Sequence, residues 1–74
     1  MPESVSALIA RHGVRLGAPH EARLLLAHVL DVEPARLLLA PPPSDAARSA
    51  LDALVERRAA GEPLQHLTGR APFR

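Results

Sequence analysis

Prolines and glycines interrupt this sequence at short distances, and the longest stretch without either of them is residues 44–60. Proline lacks a backbone N–H and glycine loses the most conformational freedom on folding, so both tend to end helices. The stretches between them are rich in alanine and leucine, and Phe73 is the single aromatic residue of the chain. That composition favours helices over strands. The sequence therefore predicts several short helices joined by tight corners.

Hydrophobic periodicity indicates where the first two helices lie. The first begins after Ser4, a good N-cap residue, and Gly13 is the expected C-terminal stop. Val14 and Leu16 are then assigned to a connector. The second helix begins at Pro19, whose missing N–H costs nothing at a first helical position. It is apolar around most of its circumference, which predicts a place at the centre of a bundle.

Three further helical segments follow. A helix of one or two turns begins at Pro34, carries three consecutive leucines and ends at the prolines 41–43. Ser44 is the predicted N-cap of the longest helix, and Gly61 is its predicted stop. Its apolar stripe is Ala47, Ala50, Leu51, Leu54 and Val55. A fifth short turn opens at Pro63, with Leu64 and Leu67 on one face. The predicted fold is all-α, a small orthogonal bundle of four to five short helices.

Length, charge and cysteine content exclude several classes of protein. A chain of 74 residues is one domain or part of one, with a small core. Cysteine is absent, so disulfides and thiolate metal sites are excluded. The nine basic residues, all arginine, are balanced by eight acidic residues, and positive and negative charges alternate along the chain. No dense cationic face and no apolar run of membrane-spanning length are predicted, which indicates a cytoplasmic protein.

The residue types that carry chemistry do not form a recognisable catalytic or metal pattern. His20 and His28 are about 12 Å apart along a helix, too far to share one zinc ion. The serines are better explained as caps or exposed helix positions. Asp52 and Glu56 lie on the solvated face of the longest helix, where a catalytic carboxylate pair is not expected. Neither a GxGxxG fingerprint nor a P-loop is present. We therefore predict no catalytic, cofactor-binding or metal-binding residue in this segment.

Two stretches carry a resemblance to a known family. LDALVERRAAGEPLQHLTG and the upstream EARLLLAHVL resemble the N-terminal domain of the HemK/PrmC family, the release factor glutamine methyltransferases. The similarity covers essentially the whole chain. Its most specific element is Arg57-Arg58, followed by Gly61-Glu62-Pro63 and then by His66-Leu67-Thr68-Gly69.

The resemblance implies an organisation that the chain itself contains only in part. In this family a small helical bundle precedes a methyltransferase domain, which binds S-adenosylmethionine and methylates the glutamine of a release factor's Gly-Gly-Gln motif. The bundle helps to recognise the release factor and contributes no catalytic group. Residues 1–69 would then be the recognition domain and residues 70–74, including Phe73, the start of the linker. The glycine-rich loop and the Asn-Pro-Pro-Tyr motif of the catalytic domain are absent, so the segment alone is expected to be inactive.

Four residues are the candidates for binding a partner: Arg57, Arg58, Gln65 and His66. The arginines could pair with acidic side chains of the methyltransferase domain or of the release factor. They could equally be helix-end cations, and His66 could cap a helix or bond a backbone carbonyl. Two alternative functions stay open. One is a free-standing helical DNA-binding or adaptor module, although Tyr and Trp are absent. The other is a docking support for the neighbouring domain.

Overall fold

Residues 3–69 are described by a computed structural model. Within this range the chain forms five helices and no strand: α1 (Val5–Leu16), α2 (Pro19–Leu30), a 3₁₀ helix (Pro34–Leu39), α3 (Asp45–Ala59) and α4 (Leu64–Thr68). The prediction of a small all-α bundle is confirmed. Residues 70–74, to which the linker prediction applies, lie outside the described residues. Across residues 3–69, no helix has the length and apolar character needed to cross a bilayer.

The helix starts follow the capping rules on which the sequence analysis relied. The Ser4 hydroxyl accepts a hydrogen bond from the Ala7 N–H at 3.1 Å, and the Ser44 hydroxyl accepts one from the Ala47 N–H at 3.2 Å. Each bond satisfies one of the four N–H groups that a helix start leaves without a partner. Pro19 occupies the first position of α2, as predicted. Both serine caps and the proline start are therefore confirmed.

Gly13 is not the end of α1, and this prediction was wrong. The helix continues for three residues beyond Gly13 and ends at Gly17, which adopts the left-handed conformation with φ 68°. Gly13 is buried, and a β-carbon placed on it would lie 3.0 Å from the Cα of Pro19. The glycine therefore lets the start of α2 approach the backbone of α1 closely. Val14 and Leu16 consequently belong to α1, not to a connector.

The second helix lies at the centre of the bundle, as its sequence predicts. Among the five described helices, α2 alone has Cα atoms within 8 Å of every other helix. Leu25 and Leu26 of α2 are fully buried, and they pack in one core with apolar residues from all the other helices. That core consists of Val5, Leu8, Leu25, Leu26, Ala27, Leu37, Leu51, Val55 and Leu67.

Three apolar residues of the predicted helices face solvent instead. Ala50 was placed on the buried stripe of α3 but is exposed, because the contacts of that helix are made by Leu51, Val55 and the half-buried Leu54. In the 3₁₀ helix only Leu37 is buried, while Leu38 and Leu39 are 63% and 84% exposed. A 3₁₀ helix has three residues per turn, so three consecutive side chains point in three directions and only one can enter the core.

Candidate functional site

The end of α3 and the first residues of α4 contain all four residues predicted to bind a partner. Gly61 adopts φ 106° directly after the helix, and its N–H donates to the Arg58 carbonyl at 3.0 Å. The Glu62 N–H donates to the Arg57 carbonyl at 3.1 Å. This pair of bonds is the Schellman arrangement, in which a residue with positive φ satisfies the last helix carbonyls. Gly61 is confirmed as the stop of α3.

Pro63 and α4 determine the direction in which the chain leaves the bundle. Pro63 is extended, with ψ 141°, and precedes the single turn of α4. Leu67 is buried and Leu64 packs partly buried against the core, so α4 is held on the bundle by the two leucines that share its face. This docking confirms the predicted fifth turn. The polar residues of the turn are consequently held in a defined place beside the end of α3.

Arg57 is engaged by a carboxylate of its own turn. Its Nε donates to Glu62 Oε1 at 3.0 Å, and its Nη2 donates to Glu62 Oε2. This hydrogen bonding lowers the pKa of the Glu62 carboxyl, and the charges of Arg57 and His66 lower it further. The same bond raises the pKa of the Arg57 guanidinium. Arg57 is therefore more than a free helix-end cation, since it is paired with a carboxylate of the turn between α3 and α4, residues 60–63, which we call the exit turn.

Arg58 joins two helices that are distant in sequence. Its Nε and Nη2 donate to the two carboxylate oxygens of Glu21 in α2, at 2.9 and 3.2 Å, and Nη1 donates to the Glu62 carbonyl at 3.2 Å. Both side chains of this pair are largely buried, with 29% and 19% exposure. A bidentate arginine–carboxylate pair is geometrically specific. Arg58 therefore ties the start of α2 to the end of α3 and to the exit turn.

Gln65 and His66 lie on the outer side of α4 and are exposed. Within residues 3–69 their side chains have no hydrogen-bond partner, so neither the helix cap nor the carbonyl bond considered for His66 is formed there. The structure thus brings the four predicted residues to one end of the bundle. It engages the two arginines within the chain and leaves the other two side chains facing solvent. Their predicted role in binding a partner stays a prediction.

A second group of charged residues, between α1 and α3, was not found from the sequence. Arg15 Nη2 lies 2.6 Å from Glu56 Oε1, and Arg11 Nη1 lies 3.9 Å from Asp52 Oδ1. Asp52 and Glu56 are exposed, as predicted, but each lies beside a base of α1. The signal was present as two four-residue spacings, one of bases in α1 and one of acids in α3, which place each pair on one helix face. Only the tertiary packing shows that these faces meet.

His12 lies at the centre of this α1–α3 contact and is the one buried polar side chain of the described core. Its Nε2 is 3.1 Å from Asp52 Oδ1 but lacks the geometry of a hydrogen bond. Burial lowers the pKa of His12, and the positive charge of Arg11 lowers it further, while Asp52 opposes the shift. The effects of burial and Arg11 exceed that of the carboxylate. The folded protein therefore favours the neutral imidazole.

We expect the stability of the chain to fall as the pH decreases below about 6.5, the ordinary pKa of histidine. Because the folded-state pKa of His12 is lower than the unfolded value, the unfolded chain takes up a proton first. The contribution of His12 to the free energy of unfolding is complete above about pH 6.5. It is lost as the pH falls towards the pKa of His12 in the folded protein. Urea unfolding between about pH 5 and 8 measures this dependence.

The variant His12→Gln is the control for this pH dependence. It keeps a polar side chain but cannot titrate, so its unfolding free energy should be flatter over the same interval. Glu3 and Glu62, whose pKa values are also lowered, lose their contributions only near and below their ordinary values, so the two effects separate on the pH axis. An equal slope in the variant and the parent chain would show that another group is responsible.

An open polar groove lies beside His12. It is lined by Glu3, Arg11, Asp45, Arg48, Ser49 and Asp52. Arg11 donates to both oxygens of Glu3, and Arg48 donates to Asp45. The arginines are therefore neutralised by carboxylates of the same groove, which disfavours an anionic ligand. Within residues 3–69, no three His, Asp or Glu side chains are grouped so that they could hold a metal ion.

Comparison with known proteins matches this chain to one family. The model of the PrmC N-terminal domain matches residues 3–69. A release factor glutamine methyltransferase of Mycolicibacterium smegmatis is 42% identical over 72 residues, which are 96% of this chain and 25% of the relative. The chain therefore spans about a quarter of the length of this curated relative. No solved structure gives a significant match.

Proposed function

This chain belongs to the family of PrmC N-terminal domains, and from that premise we propose that it is the release-factor-recognition domain of a protein-glutamine methyltransferase. The parent protein would transfer a methyl group from S-adenosylmethionine to the glutamine of the Gly-Gly-Gln motif in a peptide chain release factor, in the cytoplasm. The match over residues 3–69 is the observation that carries this proposal. The relative's name supplies the reaction, and the remaining three quarters of its length provide room for a catalytic domain.

The described residues support a binding role over a catalytic one. The buried polar group, His12, contacts Asp52 inside the α1–α3 contact, and the groove beside it is open and lined mostly by ion-paired side chains. Enzyme active sites usually combine a concave pocket with titratable groups placed around it. By contrast, the end of the bundle at α4 offers exposed polar side chains on a rigid, well-anchored turn. Such a surface suits docking, either to the methyltransferase domain of the same chain or to the release factor.

The alternative of a DNA-binding module is disfavoured by the ion pairs. Of the seven arginines in residues 3–69, five contact carboxylates of the same range: Arg11, Arg15, Arg48, Arg57 and Arg58. Phosphate contacts dominate the affinity of proteins for DNA and need free cationic groups. A surface whose arginines are already paired would have to break those contacts to bind a duplex.

We expect the full-length protein to methylate an intact release factor, and the segment 1–74 alone to transfer no methyl group. The measurement is transfer of label from S-adenosylmethionine to the release factor, with mass spectrometry to locate the modified glutamine. Transfer by the isolated segment would contradict the assignment of catalysis to the rest of the chain. Transfer by neither protein would overturn the proposed function as a whole.

A second arm of the same experiment separates recognition at the α4 end from docking support. In the full-length protein, Gln65 and His66 are replaced together by alanine. These side chains are exposed, so the core is left unchanged, and Arg57 and Arg58 are retained because they bind Glu62 and Glu21. A raised KM for the release factor with an unchanged kcat would assign recognition to this end. An unchanged KM with a lower melting temperature would assign docking of the methyltransferase domain, and Arg23→Ala is the matched exposed control.

A further inference from the structure

The corner between α2 and the 3₁₀ helix carries apolar side chains that the fold does not use. Leu38 and Leu39 are 63% and 84% exposed, whereas Leu37 beside them is fully buried. A single exposed leucine is common on protein surfaces, but two adjacent ones on one element form an apolar contact area. The element is anchored through Leu37, so in the folded bundle the other two leucines lie on its outer side.

The same corner carries the carboxylates that have no ion-pair partner within residues 3–69. Asp31 and Glu33 are exposed and contact no arginine or histidine there, while the other six acids of the chain all do so. Arg36 shares the corner, so the acids outnumber the bases by one. The 3₁₀ helix is about 12 Å long. We define Asp31, Glu33, Leu38 and Leu39 as the corner surface. It is small enough for a single partner to contact all four residues together.

The corner surface lies away from the point where the chain leaves the bundle. The 3₁₀ helix contacts α1 and α2, whereas α4 contacts α2 and α3, and no Cα atom of the 3₁₀ helix lies within 8 Å of one in α4. A domain that follows residue 69 is therefore attached on the side of α3 and α4. This separation favours a partner from another chain over the following domain as the occupant of the corner surface.

We propose that the corner surface binds the release factor, through a patch in which an apolar side chain is flanked by arginine or lysine. The apolar contact with Leu38 and Leu39 supplies affinity, because it removes exposed hydrocarbon from water. The free carboxylates of Asp31 and Glu33 attract the flanking cations, and such charges act mainly on the association rate and on specificity. This inference rests on the proposed function, since it assigns that function's protein substrate to a particular surface.

The experiment uses the full-length protein and two substrates, an intact release factor and a short peptide containing Gly-Gly-Gln. The double variant Leu38→Ser with Leu39→Ser should raise KM for the intact release factor about tenfold, at an unchanged kcat. Methylation of the peptide should not change, because a short peptide cannot reach both the catalytic domain and the corner surface. Val14→Ser is the matched control, since Val14 is also 84% exposed but lies on α1.

The charged half of the surface is tested by Asp31→Asn with Glu33→Gln. Asparagine is chosen because Asp31 has φ 57°, a conformation that asparagine tolerates. We expect KM for the release factor to rise about threefold at low salt and the difference to shrink as salt screens the charges. A rise of equal size at all salt concentrations would overturn the electrostatic part of the inference.

Failure of this inference and failure of the proposed function give different results. If the parent protein methylates the release factor and the leucine variant has the same KM, the corner surface is not the binding site, while the proposed function stands. If the leucine variant lowers the melting temperature of the free full-length protein, or converts a dimer to a monomer, another occupant covers the surface and the inference is wrong. If the parent protein methylates neither substrate, the proposed function fails first.

Discussion

Leu26→Ala should destabilise the chain by about 3 kcal/mol, which is between roughly a quarter and three quarters of the stability expected for a protein of this size. Leu26 is fully buried in α2, the helix that contacts all the others. Removing three carbons there forfeits their transfer free energy and leaves a cavity, and such substitutions cost roughly 2.7–5 kcal/mol. A chain of 74 residues is expected to have an unfolding free energy of about 4–11 kcal/mol. Urea titration followed by circular dichroism measures the change.

Leu24→Ala is the matched control for this prediction. It makes the same chemical change two residues earlier in the same helix, but Leu24 is 37% exposed. We expect a cost below about 1 kcal/mol, since alanine also has the better helix propensity. Equal effects of the two substitutions would mean that α2 is not packed as described.

Gly13→Val should destabilise the chain by about 2 kcal/mol. The sign of this change distinguishes a glycine that makes room for α2 from one that only weakens α1. In an ordinary helix position valine is more favourable than glycine, by a few tenths of a kcal/mol. The added β-carbon, however, would lie 3.0 Å from the Cα and 3.3 Å from the Cβ of Pro19. Those atoms belong to a rigid ring and to the backbone of α2, so they cannot move without shifting the helix. Overpacking of this kind costs roughly 1–3 kcal/mol.

Ala10→Val provides the comparison for Gly13→Val. Ala10 is exposed in the same helix. Valine there should lower the free energy of unfolding only through its poorer helix propensity, by about 0.5 kcal/mol. Chemical denaturation of the three proteins under one condition gives both differences. A stabilised Gly13→Val variant would show that the glycine is merely a weak point of α1 and that the close approach of Pro19 has no energetic weight.

The contrast between Gly13 and Gly61 shows what sequence reasoning can and cannot supply. Both glycines follow an amphipathic run, and the helix-stop rule applies equally to both. It is correct for Gly61, where the chain needs a positive φ, and wrong for Gly13, where the missing side chain makes room for a neighbouring helix. Local rules describe the needs of one segment. The close approach of α2 to α1 is a tertiary contact, which no local sequence pattern predicts.

The same distinction applies to the charged residues of the candidate site. The sequence places Arg57 and Arg58 at a helix end, which follows from spacing and the helix dipole. The carboxylates that they bind, however, differ in their distance along the sequence. Glu62 is five residues from Arg57, within reach of a local argument, whereas Glu21 is 37 residues from Arg58. The four-residue spacings in α1 and α3 indicate charged faces, but which face meets which depends on the packing of the whole bundle.

The central position of α2 also determines how this protein opens. Because α2 touches every other described helix, its amide protons cannot exchange with solvent unless most of the bundle separates. In the 3₁₀ helix only Leu37 is buried in the core, so we expect this helix to detach while α2, α3 and α4 remain packed. Amides of α2 should therefore exchange only through global unfolding, and those of residues 34–39 through a local event of lower free energy. The proposed corner surface thus lies on the part of the domain that we expect to open first, so binding there should also slow the exchange of the amides of residues 34–39.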